Sequence, residues 1–273
     1  MERPLKPLLA TALLAVVALA APSTCGAQEA SWGPVALGLA GSIVARNAER
    51  SIPSAAESKP ALSRALVASS TISAGGLAGL VDGSIEARMP IDSTRRLAAT
   101  IGGVSYGSYR LFTLGAAMSM PLTAAIKSTV GMRIESQSID GYGVAAAILF
   151  DAGATVRLSP ALSLGAAARN VTGSRLRGIP RAQSVALGTL LALEDSADVS
   201  FDIEHVAGRG IVAACGGSLA VAPGLVVRGG ARLDGSIVSA GFGFDDGGMF
   251  VDVALAWIDA LGAQCAAGVG MRW

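Results

Sequence analysis

Few residues of this 273-residue chain have types and spacing suited to chemistry. Gly103-Val-Ser105-Tyr-Gly107 has the spacing of a nucleophile elbow, in which a serine stands on a sharp strand-to-helix turn. The residues after it read as a strand instead. From Tyr109 onward Phe112, Leu114, Ala116 and Met118 alternate with Thr113, Gly115, Ala117 and Ser119, so 105–108 is expected to be a hairpin turn. The one histidine, His205, comes three residues after Asp202 and falls on the apolar phase of a strand. Beside a serine it would make a membrane-surface hydrolase, but no third group is placed to orient the imidazole. Gly208-Arg-Gly210 resembles the start of a dinucleotide loop, which requires a helix after it; here a strand pattern runs on to Pro223-Gly224. Cys25, Cys215 and Cys265 have no zinc-site spacing, and no acidic loop suits calcium. The sequence predicts no catalytic residue, no metal and no cofactor, with an outer-membrane hydrolase as the lesser alternative.

The elements that would position such residues are read from composition and periodicity. Lys and Arg total 21 against 20 Asp and Glu, which argues against a nucleic-acid partner. Hydrophobic residues make up 52% of the chain, yet beyond the first 21 residues no uncharged apolar run is long enough to cross a bilayer as a helix. A barrel resolves this, because closed barrels, like helices, satisfy every backbone polar group in lipid. Arg3 and Lys6, the apolar stretch Leu8 to Ala21, and Gly26-Ala27 before Gln28 read as a signal peptide over 1–27.

From residue 64 onward fourteen segments of period two are separated by turn clusters such as Ser159-Pro160, Asp234-Gly235 and Asp245-Asp246-Gly247-Gly248. They are 65–72, 79–89, 96–106, 109–120, 124–136, 143–158, 162–172, 182–193, 197–205, 211–221, 225–233, 236–245, 249–257 and 263–273. Charge phase is the stronger signal, because Arg or Lys on a lipid-facing strand costs about 2–4 kcal/mol at the midplane. Lys127, Arg133 and Glu135 share one phase and Val130, Met132 and Ile134 the other; Asp82, Glu86 and Arg88 alternate with Val81, Ile85 and Met89. The inward set is Arg88, Lys127, Arg133, Arg157, Arg169, Arg228, Arg232 and Arg272 against Asp82, Glu86, Glu135, Asp151, Asp202, Glu204 and Asp252. Their near cancellation suits cross-strand pairing within a lumen more than an ion-selective pore. A soluble sandwich would need a core of large residues, and aromatics are only 4% of this chain.

The expected architecture is all-β: a transmembrane antiparallel up-and-down barrel over 64–273, with 28–63 as a short N-terminal hatch. Trp273, outward at the end of the last strand, is expected to serve as a barrel assembly signal read by the assembly machinery. With both chain ends periplasmic, the longest outside loop is 173–181, a basic stretch with Arg175, Arg177 and Arg181 that reads as solvated, with contact to lipid phosphates or a partner as the alternative. Tyr106, Tyr109, Tyr142 and Trp257 would form the outer aromatic girdle.

Asp151-Ala-Gly153 through Arg157-Leu-Ser-Pro160, Leu164-Gly165 and Arg169-Asn170-Val171-Thr-Gly173 resembles the PorV/PorQ family within the FadL-like outer-membrane barrels. Ala186-Leu-Gly188, Phe201-Asp202-Ile-Glu204, Arg228-Gly229-Gly230 and Gly241-Phe-Gly243-Phe occur in that family's order, and Ile52-Pro53-Ser54-Ala55 replaces its Asn-Pro-Ala hatch motif. The resemblance implies a bacterial outer-membrane address. It further implies either passage of hydrophobic small molecules or a type IX secretion role with exported cargo as partner; a purely structural barrel without transport is the alternative. Outer-membrane lipid is the partner common to all of these.

Overall fold

Alternation of polar and apolar residues gives each strand one lipid-facing and one inward side, and such strands are stable in a membrane only when no edge is left open. The computed structural model describes residues 35, 39, 64–73, 79–193, 196–259 and 261–273. The expected signal peptide, 1–27, and all but two positions of the expected hatch, 28–63, lie outside the described residues. The strands are β1 (Ala65–Ser73), β2 (Val81–Pro90), β3 (Arg96–Tyr106), β4 (Tyr109–Pro121), β5 (Ile126–Ile139), β6 (Gly143–Arg157), β7 (Leu162–Arg169), β8 (Arg175–Leu176), β9 (Ile179–Pro180), β10 (Ser184–Leu193), β11 (Ala197–Val206), β12 (Gly210–Ala222), β13 (Leu225–Arg232), β14 (Ile237–Asp245), β15 (Met249–Ile258) and β16 (Gly262–Arg272).

Fourteen of these close into one antiparallel barrel in which every strand pairs with its neighbours in sequence and β1 returns to β16. This is the architecture the charge phase predicts. The seam is finished beyond the strands, where the Arg64 and Trp273 backbones exchange hydrogen bonds of 3.1 and 3.2 Å. Strands β8 and β9 form a hairpin inside the connection between β7 and β10. The expected segment 162–172 stops as a strand at Arg169, because Asn170 takes φ 48° and leaves the β region. The rim where β1 starts and β16 ends is the terminal rim, and the opposite one the far rim.

Among the described residues the buried apolar side chains form only small clusters inside the barrel. Outward positions carry exposed apolar side chains such as Ile85, Leu114, Met132, Ile148, Leu187, Phe242 and Leu255, as a wall bathed in lipid requires. Trp257 and Trp273 are outward and exposed at opposite rims, and Tyr142 is exposed in the β5–β6 turn. Tyr109 departs from the expected girdle. It shares the inward phase of β4 with Leu111 and Thr113 and interacts with Arg181 and Glu135; Tyr106, opposite it in register, takes the same side. An aromatic at a strand end takes its face from strand phase, and here that phase is fixed by the lumen residues further along.

Candidate functional site

The inward faces of β3 to β10 carry many small residues, including Ala98, Gly102, Gly115, Gly131, Gly153, Gly165 and Gly188, so the lumen can hold more than its own wall. All fifteen charged residues expected inside lie on inward strand positions. Arg88 Nε stands 2.7 Å from Glu86 Oε1. Arg133 lies 3.6 Å from Glu135 and 3.3 Å from Asp151. Arg169 reaches Glu204 at 2.9 Å across β10, and Arg228 reaches Asp252 at 2.6 Å across β14. Asp82, Lys127, Asp202 and Arg232 are also engaged in interactions, and Arg157 is exposed at the terminal rim. Arg272 pairs at 3.0 Å with Asp245 and lies 4.8 Å over the Phe250 ring.

Asp245 and Asp198, the latter accepting from Ser218 Oγ at 2.8 Å, were not among the residues expected inside. Their phase alone would have placed them there. Between the ion pairs run short hydroxyl links: Ser69 to Ser84 at 2.8 Å, Ser119 to Thr129 at 2.9 Å, and Gln264 Nε2 to Ser73 Oγ at 2.7 Å. Gly243 faces the Arg228–Asp252 pair at close range: a Cβ there would meet Asp252 Oδ1 and come within 2.8 Å of Arg228 Nη1, so only glycine leaves room for this pair.

Two apolar insertions occupy the half of the lumen toward the far rim. Val35 and Leu39 are joined by a 3.2 Å backbone hydrogen bond from Leu39 N to Val35 O. They pack with Ile237, Ala254, Ala256 and Ala266 on the inner face of β14 to β16. Across the lumen floor Gly216 lies directly under Leu39, whose carbonyl oxygen would be 2.9 Å from a Cβ at that position. On the facing wall, Leu176 of the β8–β9 hairpin is buried against Ala147 and Leu149 of β6, with Leu111 and Ala145 beside it.

The hairpin loop is the solvated basic stretch expected of 173–181 only in part: Arg175 and Arg177 are exposed, whereas Leu176 is buried and Arg181 turns inward. Asn170 organises it: its N–H donates to Asp151 Oδ1 at 2.8 Å, its Nδ2 donates to the Arg181 carbonyl at 2.9 Å, and its Oδ1 accepts from Ser174 N at 2.9 Å. Arg181 then reaches into the lumen, 2.6 Å from Glu135 Oε2. The same loop completes the wall. Strand β7 pairs with β6 only from Ala152 to Arg157, so β6 beyond that point has no strand on one side. Its carbonyls are met instead by Val171 N on Phe150 at 2.9 Å, by Ser174 Oγ on Ile148, and by the Arg177 guanidinium on Gly143, which also reaches the Tyr142 carbonyl in the turn before the strand. Sequence reasoning missed Leu176, the one large apolar residue between Arg175 and Arg177, because what docks it is on a distant strand.

Outside the wall, two turn carboxylates are held below their ordinary pKa. The Thr94 N–H and hydroxyl donate to Asp92, and the Met249 and Gly248 N–H groups donate to Asp246. These are turn-forming contacts with no catalytic geometry. His205 is exposed on the outward face of β11, and Ser105 on that of β3, so neither candidate nucleophile system is assembled. Among the described residues no cluster of His, Cys, Asp and Glu is arranged for a metal ion.

The sequence matches no family model and no curated protein. The fold does have counterparts. The toluene transporter TbuX of Ralstonia pickettii superposes with a TM-score of 0.66 at 13% identity, over 89% of this chain and 98% of that one. A TodX deltaS2S3 mutant monoaromatic hydrocarbon channel gives 0.64 at 12% identity, over 89% and 98%. The CymD monoaromatic hydrocarbon channel gives 0.60 at 13% identity, over 89% and 97%. The fold is a closed fourteen-stranded antiparallel β-barrel with the architecture of these membrane channels.

Proposed function

We propose that the protein is an outer-membrane channel for small hydrophobic compounds, working as a plugged FadL-like barrel and not as an enzyme. One observation carries this reading. The loop 170–183 both seats Leu176 in the lumen and stands in for a missing strand along β6, so a single segment fills part of the lumen and completes part of the wall. Isolated backbone bonds at its two ends, side-chain hydrogen bonds, the Arg181–Glu135 pair and one leucine hold that segment, whereas full ladders hold the rest of the barrel. A compound with no charge needs a dry, movable passage of this kind, and the balanced lumen charges stay paired with one another. In this reading Val35 and Leu39 belong to a hatch formed by 28–63, the lumen charges hold the barrel together, and residues 1–27 are removed on export. That the structural counterparts are a toluene transporter and monoaromatic hydrocarbon channels supports the choice of ligand class.

The secretion-linked role rests on the PorV/PorQ resemblance, whose Asp151-to-Gly173 run includes the Asp151–Asn170 contact that anchors the loop. It predicts co-purification with exported cargo. Channel activity is tested by Leu149→Cys/Leu176→Cys in a background of Cys215→Ala and Cys265→Ala. Uptake of toluene into proteoliposomes should fall when the new cysteines are oxidised and return on reduction. Uptake indifferent to cross-linking, or no toluene entry with the native loop, would remove the basis for this reading.

A further inference from the structure

The outward face of the fourteen barrel strands carries one charged side chain, Arg110 on β4. Its surroundings are equally unusual. Register sets Ser105 of β3 and Ser138 of β5 directly opposite Arg110, and Ser136 lies one outward step below Ser138. Two outward steps down from Arg110 the wall is wholly apolar, with Ile101, Leu114, Ile134 and Ile148 side by side across four strands. At this rim the other strands end outward in residues such as Ile72, Val81, Ile211 and Trp257, all exposed. A polar island holding the one charged outward side chain therefore sits on one sector of a mainly apolar wall, where the wall meets the far rim; Ser70 of β1 and His205 of β11 are isolated polar residues elsewhere near that rim.

An arginine on such a face is tolerated only near the membrane interface, where its head reaches polar groups. Among the described residues Arg110 is in no ion pair, nor is Asp140 in the adjoining turn, so no carboxylate of theirs neutralises the guanidinium. Above the island Arg177 is exposed and fixed, its guanidinium donating to the Tyr142 carbonyl at 2.6 Å and to that of Gly143, the residue beside Val144. Val144 is itself opposite Ser138. Ser138 lies between the lipid-facing guanidinium and the one at the rim, while Ser105 and Ser136 flank Arg110 to the other side and below. Two cations with hydroxyls beside them and no carboxylate pairing Arg110 among the described residues form a donor-rich set, and phosphate oxygens are the acceptors that match it.

We propose that this sector, built on Arg110, Ser105, Ser136 and Ser138 with Arg177 above, seats the phosphate of a phosphorylated glycolipid of the outer leaflet. The proposal rests on the outer-membrane part of the proposed function and is independent of what the lumen passes. Charge complementarity selects the headgroup, and the isoleucine and leucine row beneath receives its acyl chains.

The full-length protein, folded in detergent, is titrated with bisphosphorylated lipid A, with lipid A stripped of its phosphates, and with phosphatidylglycerol, and bound lipid is read by native mass spectrometry. Wild type is expected to retain bisphosphorylated lipid A in preference to the other two. Arg110→Gln should lower that retention roughly tenfold, about the effect of one charge-assisted hydrogen bond, and leave the heat-dependent gel shift of the folded barrel unchanged. Equal retention of the stripped lipid, preference for phosphatidylglycerol, or unchanged retention by Arg110→Gln overturns the proposal. A wild-type dimer that Arg110→Gln abolishes would overturn it too, assigning the island to a protein contact. Cell fractionation is run alongside, and recovery outside the outer membrane would sink the address itself and not merely the lipid.

Discussion

Nη1 of Arg228 stands 2.6 Å from Oδ1 of Asp252, and both side chains are almost wholly shielded, at 1% and 2% exposure. They lie on β13 and β15, with Gly243 of β14 between them, so the pair ties three strands through the lumen. Among the described residues Nε and Nη2 of Arg228 have no hydrogen-bond partner, which leaves the guanidinium dependent on this one carboxylate there.

Removing one partner of a buried ion pair leaves an uncompensated charge and typically costs about 3–5 kcal/mol, whereas replacing both with apolar residues is often close to neutral. Asp252→Ala is therefore expected to lower the urea midpoint of barrel unfolding sharply. Arg228→Met/Asp252→Leu should recover most of the loss. Equal destabilisation by the single and the double variant, measured as loss of the heat-modifiable band against urea, would show that the pair does not hold this wall.

The turn carboxylates set a separate pH dependence. Asp92 and Asp246 are held below their ordinary pKa, chiefly by N–H donors from their own turns. A depressed folded pKa means that the contribution is present above the unfolded value and is lost as pH falls through the folded one. Asp246→Ala should thus reduce stability near neutral pH by an amount that shrinks below about pH 4, where the unfolded carboxyl begins to protonate. A stability difference from wild type that stays constant between neutral and acid pH would contradict the turn's role. Both carboxylates are fully exposed, so the effect is expected to be small.

How much of this was legible depends on which free energy sets each feature. Strand count and phase were readable because a charge such as Lys127 or Arg133 turned toward lipid is heavily penalised, and one penalised residue fixes the phase of its whole strand. Strand ends were less readable. Tyr109 looks like a girdle residue by type, but its side follows from Thr113 and Gly115 and is settled by Arg181 and Glu135. The inward loop was hidden for a different reason. Asn170-x-x-Gly173 signals a left-handed turn, yet nothing local to Arg175-Leu176-Arg177 indicates that Leu149, on β6, is waiting for the leucine. Val35 and Leu39 were read as part of a hatch from small apolar composition, and their contacts with Ile237 and Ala266 come only from the closed barrel.

Trp273 offers the last test, because its backbone and side chain do different things. The backbone exchanges two hydrogen bonds with Arg64 at the seam, which any residue could supply, while the indole is outward and exposed at the terminal rim. Trp273→Ala should therefore leave the ladder and the equilibrium stability nearly intact, since an aromatic at an interface adds little to a barrel already closed by nine residue pairs between β1 and β16. If the terminal aromatic is the group the assembly machinery recognises, the loss appears in rate: Trp273→Ala protein should accumulate unfolded in cells yet refold normally in detergent or lipid. Truncation before Arg272 would remove seam contacts as well, including the Arg272–Asp245 pair, and should fail in both settings. Equal assembly of Trp273→Ala and wild type in cells would reduce the indole to an interfacial anchor.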